Sequence, residues 1–104
     1  MDYLERQRRL REKIVTQEAI HTRMVAARLA TGKSAKQLAE NAGITYSTFK
    51  TQEYAGSPSL KTLDFYWKAY QIDPNYIMGG DAARIPADVL EELLKHLDDP
   101  EANT

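Results

Sequence analysis

The stretch from Ala35 to Tyr54, which reads AKQLAENAGITYSTFKTQEY, decides the fold. Its first half predicts a short helix over Ala35 to Ala42. Gly43 ends that helix, because glycine adopts left-handed backbone conformations without strain. Thr45 is a preferred N-cap residue, and the side chains after it predict a second helix over Tyr46 to Tyr54. The stretch therefore predicts two short helices joined by a tight turn.

Small and apolar side chains occupy the positions where these two helices would meet. Ala39 is small enough to let the helices cross closely. Four further side chains can point inward and hold the pair together: Leu38, Ala42, Ile44 and Phe49. With Thr45 as its cap, the second helix can project its first turn from the body of the protein.

The other positions of the second helix carry side chains that can contact DNA: Tyr46, Ser47, Lys50 and Thr51. Hydroxyl and ammonium groups can hydrogen-bond base edges, and a tyrosine ring can lie on a thymine methyl group. In helix-turn-helix proteins the first part of the second helix enters the major groove. We therefore expect these four residues to read bases, and the alternative for Tyr46 and Lys50 is a solvated surface.

The rest of the chain also predicts helices, so the expected fold class is all-α. The predicted helices run from Thr16 to about Thr31, from Ser59 to about Tyr70, from Asp73-Pro74 to Gly79-Gly80, and from Ile85-Pro86 to about Leu97. In the helix after Ser59, the expected inward face is Leu60, Leu63, Trp67 and Tyr70, with the Phe65-Tyr66-Trp67 cluster mostly in the core. We divide the chain into a charged N-terminal arm or helix (1–15), a helix-turn-helix domain (16–80), and a C-terminal amphipathic helix with an acidic tail (81–104).

Residues outside the two-helix stretch extend the pattern: Arg23, Arg28, Pro58-Ser59-Leu60, and Asp73-Pro74 through Gly79-Gly80. Together with Leu38-Ala39, Gly43-Ile44-Thr45, Ser47-Thr48-Phe49 and Glu53, they resemble the Cro/cI-like, or lambda-repressor-like, helix-turn-helix family. The resemblance covers about residues 23–80. It implies a bundle of five helices, dimeric binding to a palindromic operator, and usually repression.

The resemblance also implies which residues contact phosphates and which are structural. The expected phosphate-contacting residues are Ser34, Lys36, Thr45, Gly56, Ser57 and Lys61. The expected structural residues are Ala39, Gly43, Phe49 and Glu53, and Glu53 can accept backbone hydrogen bonds or pair with Arg23 or Arg28. The sequence departs from the family at Ala35, where many members have glutamine, and at Gln52, where many have an apolar residue. The loop from Glu53 to Pro58 is also about one residue shorter.

Charge is distributed unevenly along a chain whose net charge is −1. Residues 23–62 hold six basic and two acidic side chains, whereas residues 81–104 hold two basic and seven acidic ones. Because the local field governs nucleic-acid binding, the near-neutral total does not argue against a DNA partner. The acidity of the tail predicts that it lies away from the DNA.

Several functional classes find no support in the sequence. There is no cysteine, which excludes a disulfide framework and any thiolate zinc site. His21 and His96 lack ligand spacing, and we expect surface or capping roles for them, with no metal and no cofactor. No nucleophile motif or phosphate loop suggests an enzyme. The N-terminus does not resemble a signal peptide, and no run reaches the ~20 apolar residues of a membrane span, so we expect a soluble, cytoplasmic protein.

The partner expectations combine these observations. The basic run within residues 1–15 is either an arm that grips phosphates or a helix that packs on a second subunit. The apolar stripe of the tail helix either folds onto its own bundle or pairs with a second chain. We expect a homodimeric, sequence-specific regulator of double-stranded DNA, of the repressor type found in phages or mobile elements. The alternative is an antitoxin, whose acidic tail would hold a small basic toxin while the same domain binds DNA.

Overall fold

The computed structural model describes residues 15–97 and 99–103, and within them the chain forms helices and no strand. This confirms the all-α prediction. The helices are α1 (Gln17–Thr31), α2 (Ala35–Ala42), α3 (Tyr46–Ala55), α4 (Leu60–Tyr70), α5 (Pro74–Gly79) and α6 (Ala87–Leu97), followed by a 3-10 turn (Pro100–Asn103). These bounds lie within a residue or two of the predicted ones. Apart from Val15, the predicted charged arm lies outside the described residues.

Polar caps begin each of the first five helices. The side chains of Thr16, Ser34, Thr45, Ser59 and Asp73 each accept a hydrogen bond from a backbone N–H two or three residues later. A cap of this kind stabilises its helix by about 1 kcal/mol. Each of these helices also ends at a residue in the left-handed conformation, which is a glycine except at Gln71. The sequence around each end of these five helices therefore determines where the helix begins and where it stops.

The core surrounds α1, which packs against α3, α5, α6 and the 3-10 turn. Buried small residues in the middle of α1, Ala26 and Ala27, let its neighbours approach closely. Each of the other five α-helices contributes at least one large, fully buried apolar or aromatic side chain: Leu38, Phe49, Tyr66, Tyr76, Ile77 and Leu93. Ala39 is also buried, as the close crossing of α2 and α3 requires.

The predicted inward face of α4 is half right: Leu63 is buried and Tyr70 is partly buried against the core, as expected, but Leu60 and Trp67 are not. Leu60 is 84% exposed and Trp67 is 41% exposed, although both were expected to point inward. The buried side chains of α4 are Thr62, Leu63 and Tyr66. Because apolar residues occur almost all round this helix, its sequence is compatible with more than one inward face. Packing of Tyr66 into the core selects the face that is observed.

The helix α6 folds onto its own bundle, which is one of the two alternatives that the sequence left open. Leu93 and Leu97 are buried, and Val89, Leu90 and Leu94 are partly buried against the core. The apolar stripe is thus covered largely within the chain. Within the described ranges, no helix combines the length and the apolarity that crossing a bilayer requires.

Candidate nucleic-acid interface

The turn between α2 and α3 is built from backbone hydrogen bonds around Gly43. Its φ of 75° lies in the left-handed region, and its N–H donates to the carbonyl of Glu40 at 3.1 Å. The N–H of Ile44 then donates to the carbonyl of Ala39 at 3.0 Å, and the Ile44 side chain is half-buried. These bonds satisfy the last carbonyls of α2 and set the direction in which α3 leaves the turn.

The inner side of α3 is anchored by one aromatic ring and one carboxylate. Phe49 is fully buried, and Glu53 is only 2% exposed. Arg28 of α1 binds both carboxylate oxygens of Glu53, with Nε 3.0 Å from Oε2 and Nη2 3.1 Å from Oε1. Arg28 is one of the two partners that the sequence suggested for Glu53. The pair therefore ties α3 to α1 with a bidentate, charge-assisted contact.

Arg28 also receives a second carboxylate, from Glu101 in the 3-10 turn. Burial by itself would lower the pKa of Arg28. The hydrogen bonds and charges of Glu53 and Glu101 outweigh that effect and raise the pKa above its usual value. The guanidinium thus stays charged at any physiological pH, and it joins three elements of the fold: α1, α3 and the 3-10 turn.

The outer side of α3 carries most of the residues predicted to read bases. Tyr46 is 53% exposed, and Ser47 and Thr51 are exposed as well. Tyr54, which the sequence analysis did not include, is 84% exposed and follows Ser47 by seven residues and Lys50 by four. This spacing places it on the same outward face. The spacing itself was the signal that could have identified it.

Lys50 differs from its neighbours on this face. Its side chain is half-buried, and its ammonium lies 3.4 Å from Oε1 of Glu53, three residues further along the helix. The distance is at the long end of hydrogen bonding, so the contact is weak. An ammonium has three N–H donors and this contact uses at most one, so Lys50 keeps donors for a further partner.

The predicted phosphate-contacting residues at the two helix starts are exposed, but two of them already act as caps. Ser34 and Gln37 form a reciprocal capping box, in which the Ser34 side chain accepts the Gln37 N–H at 3.1 Å. Thr45 accepts the Thr48 N–H at 3.0 Å. Lys36 lies exposed in the first turn of α2. The ammonium of Lys36 can thus reach outward without disturbing a cap.

The structure does not support a phosphate contact from Gly56. This residue is buried, and its N–H donates to the carbonyl of Glu53 at 3.2 Å as α3 ends. A Cβ atom at this position would lie 2.0 Å from the carbonyl oxygen of Gln17, so the glycine permits close packing of α3 on α1. The neighbouring Ser57 is exposed, and its backbone N–H donates to the carbonyl of Gln52 at 2.9 Å.

Two polar side chains join α4 to the helix pair. Lys61 is exposed, and its ammonium donates to the carbonyl of Gly43 at 3.0 Å, at the end of α2. Gln52 accepts the Ser59 N–H at 3.0 Å and the Thr62 hydroxyl at 2.6 Å. Gln52 stands where the resembled family often has an apolar residue. Its amide oxygen holds α3 against the start of α4 by hydrogen bonds instead.

The positive charge available at this surface is smaller than the sequence count suggests. Arg23 is buried, and its guanidinium donates to the carbonyl of Ile77 at 3.3 Å. Arg28 is paired as described. The exposed or half-buried charges of residues 23–62 are therefore four lysines and one acid: Lys33, Lys36, Lys50, Lys61 and Glu40.

The ring of His21 in α1 contacts the backbone of α3. Its Nδ1 lies 2.8 Å from the carbonyl oxygen of Glu53, near the end of α3.

Across the residues that the structure describes, no group of three His, Asp or Glu side chains could hold a metal ion. Comparison with protein families, with curated proteins and with solved structures finds no match.

Proposed function

We propose that this protein binds double-stranded DNA through α3 and regulates transcription. The observation that carries the proposal is the division of α3 into two sides. Phe49 and Glu53 anchor the inner side, while Tyr46, Ser47 and Thr51 lie exposed on the outer side. A short, rigidly held helix with hydroxyl groups along its outer side suits insertion into a major groove.

In the proposed complex, α3 lies in the major groove and α2 crosses the backbone. Ser47 and Thr51 bond base edges, and Tyr46 contacts a thymine methyl group or a phosphate. Lys50 bonds either guanine acceptors or a phosphate. Side chains at the helix starts and in the following loop contact the backbone: Ser34, Lys36, Thr45, Ser57 and Lys61.

We further propose that α1 to α5 form a lambda-repressor-like domain of the Cro/cI type and that it acts as a dimeric repressor on a palindromic operator. The order and lengths of the five helices and the capped turn at Gly43 support this assignment. Two linked half-sites would compensate for the small contact area of one short helix. Because α6 covers its stripe within the chain, the partner surface lies mainly elsewhere.

The test is selection of duplexes from a random pool with the purified protein, followed by binding measurements at several salt concentrations. Lys50→Ala is expected to lose affinity for the selected duplex. A base-reading role relaxes the sequence preference, whereas a phosphate-only role weakens binding to all duplexes and reduces the salt slope by about one unit. A folded protein that enriches no duplex would overturn the proposal. Co-purification of a small basic protein would favour the antitoxin alternative.

A further inference from the structure

The 3-10 turn after α6 is held against the body of the protein. Ala102 is fully buried, and its N–H donates to the carbonyl of Asp99 at 3.0 Å. The side chain of Asp99 in turn accepts the Glu101 N–H at 2.9 Å. The turn packs on both α1 and α6. These contacts give the carboxylate of Glu101 a defined place in the fold.

That place is linked to Lys50 of α3 through the anchored inner side of the helix. Three successive links connect Glu101 to Lys50: Glu101 to Arg28 at 2.5 Å, Arg28 to Glu53 at 3.1 Å, and Glu53 to Lys50 at 3.4 Å. The links share atoms, so the carboxylate of Glu101 and the ammonium of Lys50 are no more than about 9 Å apart. This is within the ~10 Å over which charges interact at 0.1 M salt. Glu101 belongs to the acidic tail, so one carboxylate of that tail lies within this distance of a residue that we propose to contact DNA.

Glu101 changes the charge balance of the cluster. Arg28 and Glu53 neutralise each other, which leaves the charge of Lys50 in excess. The carboxylate of Glu101 cancels that excess, so the four groups together carry no net charge. Without it, the cluster behind α3 would carry one positive charge. The two remaining charges, those of Lys50 and Glu101, lie on side chains that are 39% and 50% exposed, so salt screens their interaction.

We propose that Glu101 lowers the affinity of this surface for the DNA backbone, so that the 3-10 turn acts as an electrostatic restraint within the chain. The inference rests on the proposed function of α3. A phosphate that approaches Lys50 meets the field of Glu101, which opposes it. The restraint acts on charge and not on base edges, so it weakens binding to selected and unrelated duplexes alike. Sequence preference is then left to the hydroxyl groups of α3.

The experiment compares Glu101→Gln with wild type and with Glu91→Gln. Glutamine can still hydrogen-bond Arg28 but carries no charge. Glu91 is exposed on α6, two residues before the buried Leu93 and so on the opposite side of the helix, and its substitution removes the same charge elsewhere. Binding is measured by fluorescence anisotropy with the selected duplex and an unrelated duplex at several salt concentrations.

Glu101→Gln is expected to bind both duplexes about two- to fivefold more tightly than wild type at low salt, with a gain that shrinks as salt increases. Glu91→Gln is expected to stay closer to wild type. In a Lys50→Ala background the gain from Glu101→Gln should become smaller, because the charge that Glu101 cancels is absent.

Four results would overturn the inference. Equal gains from Glu101→Gln and Glu91→Gln would show an effect of net charge alone. A loss of thermal stability in Glu101→Gln with unchanged DNA affinity would show a structural ion pair and nothing more. Failure of the folded wild-type protein to bind any duplex would overturn both proposals, whereas tight wild-type binding with no gain in Glu101→Gln would overturn only this one.

Discussion

The two sides of α3 place opposite demands on ten residues of sequence. The inner side buries Phe49 and a paired Glu53, and the outer side exposes Tyr46, Ser47 and Thr51. Substitutions on the inner side should change the free energy of unfolding, and those on the outer side should change only what the protein binds. The difference teaches that a short helix can be anchored by very few residues when one of them is charged and paired at both carboxylate oxygens.

The largest effect is expected from Phe49→Ala. Removal of a fully buried aromatic ring leaves a cavity between α3 and its neighbours, which typically costs about 3–5 kcal/mol. Urea denaturation followed by circular dichroism measures the loss. Phe49→Leu is the matched control and should lose much less. A loss under about 1 kcal/mol for Phe49→Ala would mean that the inner side is not anchored as described.

Glu53→Ala is expected to cost about 3 kcal/mol, because it leaves the guanidinium of Arg28 buried without its bidentate partner. The double substitution Arg28→Met with Glu53→Leu removes both charges and fills similar volume. It should recover much of the lost stability, since two apolar side chains need no partner. If the double variant is as unstable as Glu53→Ala, the cost comes from packing and not from the unpaired charge.

Alkaline pH is expected to destabilise the fold through Tyr66 and Tyr76, by about 1–3 kcal/mol. Burial raises the pKa of both phenols, whereas an unfolded tyrosine ionises near pH 10. The folded state therefore retains protons that the unfolded state releases. The contribution of these two phenols to the free energy of unfolding is fully present below about pH 10 and is lost as the pH rises beyond it. Thermal melting at increasing pH measures the fall, and Tyr76→Phe should reduce it. Equal melting temperatures on both sides of pH 10 would contradict the argument.

The smallest effect on stability is expected on the outer side. Ser47→Ala and Thr51→Ala should each change the free energy of unfolding by less than about 0.5 kcal/mol, because both residues are exposed. Under the proposed function, each should cost about 1–3 kcal/mol of binding to the selected duplex and little for unrelated duplexes. For each variant and for wild type, the melting temperature and the affinities for the selected and the unrelated duplex are measured on the same preparation. A variant that unfolds more easily but binds normally would reverse the assignment of the two sides.

Local signals predicted the helices well. The caps at Thr16, Ser34 and Thr45 and the glycine at position 43 gave helix bounds that agree with the structure within a residue or two. The pairing of Glu53 with an arginine of α1 was also one of the alternatives drawn from the sequence. In both cases the relevant groups are either close in sequence or restricted to few chemical partners.

Some packing between distant segments was not predicted. Leu60 and Trp67 were expected in the core, yet core packing turns Tyr66 inward and leaves both more exposed. Gly56 was expected to contact phosphates. It is buried instead, and any side chain at this position would clash with the backbone of Gln17. No periodicity in the sequence distinguishes these outcomes, because each depends on which residue from a distant element fills the space.

The amino-acid sequence by itself determined where the helices begin and end and which side of α3 is polar. Those properties come from hydrogen bonds and side-chain spacing within a few residues. Only the tertiary structure decided the rotation of α4, the burial of Gly56 and the position of Glu101 beside Arg28. These depend on close packing and charge pairing between segments as far as 73 residues apart, which no local pattern records.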